Sequence, residues 1–238
     1  MRKLGLAGLA GLLAAMGAAV ALAQTTWPAV TVSPKVSPNK AGTRAHPQGV
    51  KLTAAFRWQT LGESGQPIVT NFLLLFPKGS QYNGGKVTTC SVRKLDSVGP
   101  SGCPKASILG SGTGNAYADT VITHPQITVV NGGASTVYFY TVLNNPARVA
   151  EPVIGHITKM SGQYAYKLAV AIPTNLQIVA GVPIELTYLT VTAGKGTWLA
   201  TTACPGGKWP FSATTTYLNP NTNATGSTSF SASIACHG

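Results

Sequence analysis

Val50-Lys51-Leu52-Thr53-Ala54-Ala55-Phe56-Arg57-Trp58-Gln59-Thr60 alternates with a period of two. Val50, Leu52, Ala54, Phe56 and Trp58 fall on one side, and Lys51, Thr53, Ala55, Arg57 and Gln59 on the other. Successive side chains of a β-strand point to opposite faces, so the pattern predicts a strand with one packed face and one wet face. The next run, PIVTNFLLLFP from Pro67 to Pro77, is apolar nearly throughout and reads as a central strand of a sandwich core. Between them, Leu61-Gly62-Glu63-Ser64-Gly65-Gln66 carries the residues of a hairpin turn.

The same grammar recurs along the chain. Gln126 to Val130 and Ser135 to Leu143 flank Asn131-Gly132-Gly133, a second hairpin signal. From Gln163 to Ile172, Tyr164, Tyr166, Leu168, Val170 and Ile172 alternate with Ala165, Lys167, Ala169 and Ala171. Two further strand runs, Ile184 to Thr192 and Thr197 to Ala203, are separated by Ala193-Gly194-Lys195-Gly196. The segment from Thr225 to Cys236 is serine-rich, with Phe230 and Ile234 as its packing residues. No stretch shows an amphipathic helix with caps. Many short β-branched runs punctuated by Gly, Pro and Asn predict an all-β, antiparallel β-sandwich, Ig-like or jelly-roll-like. Pro28, Pro34, Pro38 and Pro47 suggest an extended N-terminal arm over residues 24–49, leaving 50–238 as a single sandwich domain. The alternative partition is two sandwich halves split near 144–152.

The first residues bear on the compartment. Arg2 and Lys3 precede an apolar run from Leu4 to Leu22, and Ala21-Leu22-Ala23 supplies a small-x-small cleavage pattern. This reads as a signal peptide over residues 1–23, with a mature start at Gln24 and a secreted or extracytoplasmic product. No second long apolar run follows, so the expected product does not span a membrane after cleavage. The formal net charge is +12, and the 17 Lys and Arg less Arg2 and Lys3 leave 15 cations against 5 acids. These cations form no block in the sequence, which argues against nucleic-acid binding. The surplus suits either loose attraction to wall polymers and acidic glycans or plain solubility.

Cys90, Cys103, Cys204 and Cys236 give an even count in a chain read as exported, so disulfides are expected. Three connectivities are possible. Local pairing, Cys90 with Cys103 and Cys204 with Cys236, is the expectation because each pair closes a short loop within its own half. Zinc is the competing reading, but no CxxC occurs and the histidines are scattered.

Several stretches imitate catalytic or binding motifs. Cys103-Pro104-Lys105-Ala106-Ser107-Ile108-Leu109-Gly110-Ser111-Gly112-Thr113-Gly114-Asn115 suggests a phosphate-cradling loop. Such a loop needs a helix after it, and Ala116 to Ile122 reads as strand with no Gly-Lys-Ser/Thr step. The glycines therefore read as a bend, bulge or close backbone approach, and no nucleotide is expected. Gly62-Glu63-Ser64-Gly65-Gln66-Pro67 resembles the nucleophile loop of trypsin-like proteases, but only His46 and no Asp precede Ser64.

Glu63, Asp96, Asp119, Glu151 and Glu185 are far apart in sequence, and alternation puts Glu185 on an outer face. A polysaccharide lyase site could combine Tyr164, Tyr166, Lys167 and His156, although tyrosines on an alternating strand ordinarily pack the core. His124, His156 and His237 lack metal-ligand spacing, and Asn223-Ala224-Thr225 fits a glycosylation acceptor. No catalytic, cofactor-binding or metal-binding residue is assigned, and no cofactor is expected.

Four stretches together resemble an uncharacterised exported β-rich protein family of soil actinobacteria. They are Ser37-Pro38-Asn39-Lys40-Ala41-Gly42-Thr43, Phe76-Pro77-Lys78-Gly79, the Cys103 to Thr113 stretch after Cys90, and Cys204-Pro205-Gly206-Gly207-Lys208-Trp209-Pro210-Phe211 before Tyr217 and Cys236. The resemblance covers most of the expected mature chain and carries no activity. It implies one integrated unit with two local disulfides, and Trp209 and Phe211 packed beside the second. The functional expectation is an exported, non-enzymatic β-sandwich protein at or near the cell envelope, contacting wall polymer or a secreted partner. The alternatives are a carbohydrate-active enzyme, lyase or hydrolase, on the same fold, and a self-associating structural surface protein.

Overall fold

A computed structural model describes residues 26–60 and 67–238; the leader expected over residues 1–23 and the hairpin turn expected over 61–66 lie outside the described residues, and the strands on either side of 61–66 do not pair with each other. In chain order the strands are β1 (Val30–Ser37), β2 (Gln48–Gly49), β3 (Lys51–Trp58), β4 (Ile68–Pro77) and β5 (Ser80–Tyr82). After the short helix α1 (Val92–Val98) come β6 (Ile108–Ala118), β7 (Val121–Thr123), β8 (Gln126–Asn131), β9 (Thr136–Leu143), β10 (Val149–Lys159) and β11 (Tyr164–Ala171). A one-turn helix, α2 (Thr174–Gln177), precedes β12 (Ile178–Val179), β13 (Val182–Ala193), β14 (Leu199–Thr201), β15 (Lys208–Leu218) and β16 (Thr225–Ala235).

The all-β, antiparallel architecture is the one the sequence predicts. Its two walls, however, belong to one continuous sheet in the order β1-β3-β13-β6-β8-β9-β10-β11-β4-β15-β16, curled until its ends meet. Every neighbouring pair along this path is antiparallel. Because eleven strands is an odd number, strict alternation leaves the first and last running the same way. β1 and β16 do lie side by side in parallel, joined beyond their ends by the Lys40–His237 bridge. No ladder of backbone hydrogen bonds closes the β1–β16 seam.

Residues 30–37, read from sequence as part of an extended arm, are thus a strand of the sheet. β1 pairs with β3 over its whole length, and Val30 and Val32 are buried. Pro34 fits there because β1 is a terminal strand, where a missing N–H leaves no broken ladder bond. The predicted hairpin around Asn131-Gly132-Gly133 is the β8–β9 pair. The runs on either side of Gly194 do not pair with each other: β13 joins the large sheet, while β14 sits between β2 and β5 in a separate small sheet. β15 is rich in Thr and Ser, yet it is central, between β4 and β16. The two halves of the chain interleave, since β13 lies between β3 and β6 and β4 lies between β11 and β15. β9 and β10, on either side of Asn144-Asn145-Pro146, are adjacent over eight residue pairs.

The stretch that imitates a phosphate loop is β6. Gly110, Gly112 and Gly114 lie opposite Ala193, Val191 and Leu189 of β13, and a Cβ at Gly110 would collide with the Thr192 carbonyl. The expected bend is therefore an ordinary strand with one irregularity in its pairing to β8, between Ile108 and Gly110. Close backbone approach is what its glycines serve.

Both disulfides pair locally, Cys90–Cys103 and Cys204–Cys236, with Cα–Cα distances of 5.5 and 5.9 Å. The first packs with Leu95 of α1 against Val130 and Tyr138, holding the helix on the outside of β8 and β9. The second packs with Ala41, Trp209 and Phe211, so the two aromatics flank it as expected.

Candidate functional site

Alternation along β3 turns Leu52, Ala54 and Phe56 inward, and the same logic turns Phe72, Leu74 and Phe76 of β4, Leu168 and Val170 of β11 and Leu189 and Val191 of β13 toward them. These residues do not fill the space. About 140 Å³ remains in which the centre of a water molecule can sit. The burial pattern records the same hollow: Leu52, Leu74, Phe76, Ile157, Leu189 and Val191 point inward yet stay partly accessible. Strand number supplies the reason. About eight strands enclose an interior that side chains can fill, and larger closures leave a cavity. Here eleven strands surround the space, and among the described residues no segment threads it.

The lining is almost wholly hydrocarbon. Among the described residues no Asp, Glu, His, Lys or Arg contributes to it; the polar residues present are Ser80, Tyr82, Thr141, Tyr166 and Trp198. Three of these turn their polar atoms into the protein. Tyr82 donates its hydroxyl to the Gly133 carbonyl at 2.7 Å, Thr141 donates to the Phe139 carbonyl at 3.1 Å, and Trp198 donates Nε1 to Asn131 Oδ1 at 3.1 Å. An apolar cavity of roughly 150 Å³ stays dry and takes up small hydrocarbons. A lining of this kind offers contacts to a neutral apolar molecule and no partner to a charged one.

One end of the hollow is covered by the small sheet. β2 precedes β3, β5 follows β4, and β14 joins β13 to β15, so all three strands cross the same end. Tyr82 and Trp198 meet edge to face there, with ring centroids 5.3 Å apart. Asn131, fully buried, holds this cap: its Nδ2 donates to the carbonyls of Gly84, Val87 and Thr88, and its Oδ1 accepts from Trp198. Burial pushes the Tyr82 hydroxyl pKa up to about 12. The opposite end is plugged by Leu176 of α2 with Val179, Ile184 and Leu143.

Charge is divided between the two ends. The connections that leave and return at the capped end carry Lys40, Arg44, Lys78, Lys86, Arg93, Lys94, Lys105 and Lys195, all exposed. Strand termini at this end add Lys51, Lys159 and Lys208. Asp96 is the one acid there among the described residues. The plugged end holds Arg57 and Arg148 with Asp119, Glu151 and Glu185.

The residues weighed from sequence as a lyase cleft are divided between the two faces of the wall. Tyr166 lines the cavity, whereas His156 and Lys167 are diagonal neighbours on the outer face, opposite Ala169 and Thr158, and Tyr164 pairs with Pro77 across a shift in register. Glu185 lies opposite Tyr117, on the face away from buried Ala116 and Ala118, as alternation places it. None of the four described carboxylates lines the cavity, and no group of three or more His, Cys, Asp or Glu stands together among the described residues. The residues that matter to the cap, Tyr82, Asn131 and Trp198, carry no sequence signal beyond the turn propensity of Asn131.

No protein-family model matches the chain, and no curated protein does. Among solved structures it is similar to the T6 backbone pilin of serotype M6 Streptococcus pyogenes, described as having a modular three-domain structure decorated with variable loops and extensions. The identity is 12%, the TM-score is 0.34, and the match covers 87% of this chain and 36% of that one. A likeness at this level bears on neither ligand nor activity.

Proposed function

We propose that the chain is an extracytoplasmic, non-enzymatic binding protein that holds a neutral apolar molecule between the walls of its sheet. The observation that carries this reading is the hollow, with about 140 Å³ of internal space and, among the described residues, no charged side chain in its lining. A charged or strongly polar ligand would lose its hydration there without gaining partners, so the lining selects hydrocarbon. The two disulfides support the compartment, because such bonds persist outside the reducing cytoplasm. Contact with the cell envelope, through wall polymer or a secreted partner in the expectation drawn from sequence, falls to the outer surface.

The test is titration of the purified, oxidised protein with the small neutral fluorophore naphthalene, followed by displacement with benzene and with aliphatic alcohols of increasing length. Saturable one-to-one binding is expected. Val191→Phe or Ile157→Phe, each adding bulk inside the hollow, should weaken it at least tenfold while leaving the circular dichroism spectrum unchanged. Binding that ignores both substitutions would place the probe elsewhere and refute the reading.

A further inference from the structure

Among the described residues the capped end gathers eleven exposed cations against Asp96, although the sequence holds no basic block. Antiparallel folding does this. Residues far apart in the chain lie in connections returning to one end, and the Lys195 ammonium donates to the Lys105 carbonyl at 2.9 Å across ninety residues. A pole of one sign attracts a surface of the other, over about a Debye length at physiological salt. Exposed apolar side chains stand among the cations: Met160, 39% exposed, follows Lys159, and Val92, 38% exposed, precedes Arg93. Cations interspersed with partly exposed apolar side chains match the interface of an anionic bilayer, where charge meets headgroups and apolar groups meet the acyl boundary.

We infer that the capped end is a docking surface for an anionic phospholipid bilayer. The apolar side chains favour a bilayer over a soluble polyanion, which offers them nothing apolar to meet. The placement also suits the cavity. Tyr82, Trp198 and Leu199 belong both to the cavity wall and to the cap, so a docked molecule brings the thin cover of its apolar space against lipid. That last point rests on the proposed apolar cargo; the docking itself does not.

The experiment is co-sedimentation of the full exported protein with vesicles of phosphatidylcholine alone, or of phosphatidylglycerol and phosphatidylcholine in equal parts, across a salt series. Binding is expected to the anionic vesicles only and to weaken as salt rises. Neutralising Lys86, Lys105 and Lys195 together, as K86Q/K105Q/K195Q, should lower the partition coefficient about a hundredfold, whereas R57Q/R148Q at the plugged end should change it by about twofold or less. The plugged end also exposes Val121 and Ile122. Loss of binding in V121S/I122S with retention in the lysine variant would put the contact at that end and overturn the proposal. So would equal partition onto neutral vesicles, or retention by soluble polyphosphate without vesicle binding. Fluorophore uptake in free solution is read separately, so failure of docking and failure of the cavity reading remain distinguishable.

Discussion

Tyr217, on β15, donates its hydroxyl to the carbonyl of Pro28 at 3.0 Å, across 189 residues of chain. Thr228 of β16 shares the contact, lying 2.7 Å from the Tyr217 hydroxyl and donating to the same carbonyl at 3.0 Å. Trp27 stacks on the Tyr217 ring, with centroids 6.0 Å apart. This clamp fastens the start of β1 to β15 and β16. At the other end of the seam, Ala41 donates its N–H to the His237 carbonyl at 2.7 Å and the His237 N–H reaches the Asn39 carbonyl at 3.0 Å. Between the clamps only side-chain packing closes the sheet, and a small void lined by Val32, Pro34, Phe211 and Phe230 lies behind it.

Replacing Tyr217 by Phe keeps the ring and removes the buried hydroxyl from this clamp. The expected cost is about 1 kcal/mol, with the Thr228 contact limiting the loss. Urea denaturation measures it, and amide exchange at Val30 and Val32 should quicken more than exchange at Val129.

Asn131→Leu should be more severe. It leaves the carbonyls of Gly84, Val87 and Thr88 and the Trp198 indole without partners in a buried site. Roughly 3 kcal/mol or more is expected. Trp198 fluorescence should shift to the red as the cap loosens, a change that Tyr217→Phe should not produce.

The bridges should rank by loop length. Cys204–Cys236 spans 32 residues and Cys90–Cys103 spans 13. The chain-entropy model gives about 4 kcal/mol for the first and about 3 for the second. Paired Cys→Ala variants, C204A/C236A and C90A/C103A, compared by thermal and urea unfolding, test the order.

The Tyr82 hydroxyl predicts a loss of stability in alkali. Its folded pKa of about 12 lies above the ordinary value of 10.0, so the unfolded chain gives up the proton first. The stabilisation is complete below about pH 10 and falls away as pH rises toward about 12. Tyr82→Phe should flatten that part of the stability curve when unfolding is measured at stepped pH.

Much of the wall was legible beforehand because alternation is a property of the strand backbone itself. Leu52, Ala54 and Phe56 face the cavity as their spacing requires, and Tyr166 separates from Lys167 for the same reason. Alternation could not show that Val30 and Val32 belong to the sheet, because Pro28 and Pro34 mask a strand that happens to be terminal. Nor could it place β14 apart from β13, since a Gly-rich break looks the same whether the chain turns back or crosses an open end.

Residue order along this chain determines the pleated class, the inward and outward faces of its principal strands, and cysteine spacing that favours neighbouring partners. Tertiary structure decides the rest: that eleven strands close around more space than their side chains occupy, that Tyr82, Asn131 and Trp198 converge to cover it, and that dispersed cations collect at one pole. The division has a physical cause. Facing is set by each residue's immediate neighbours, whereas enclosure and charge polarity depend on which distant strands pair and in which direction they run.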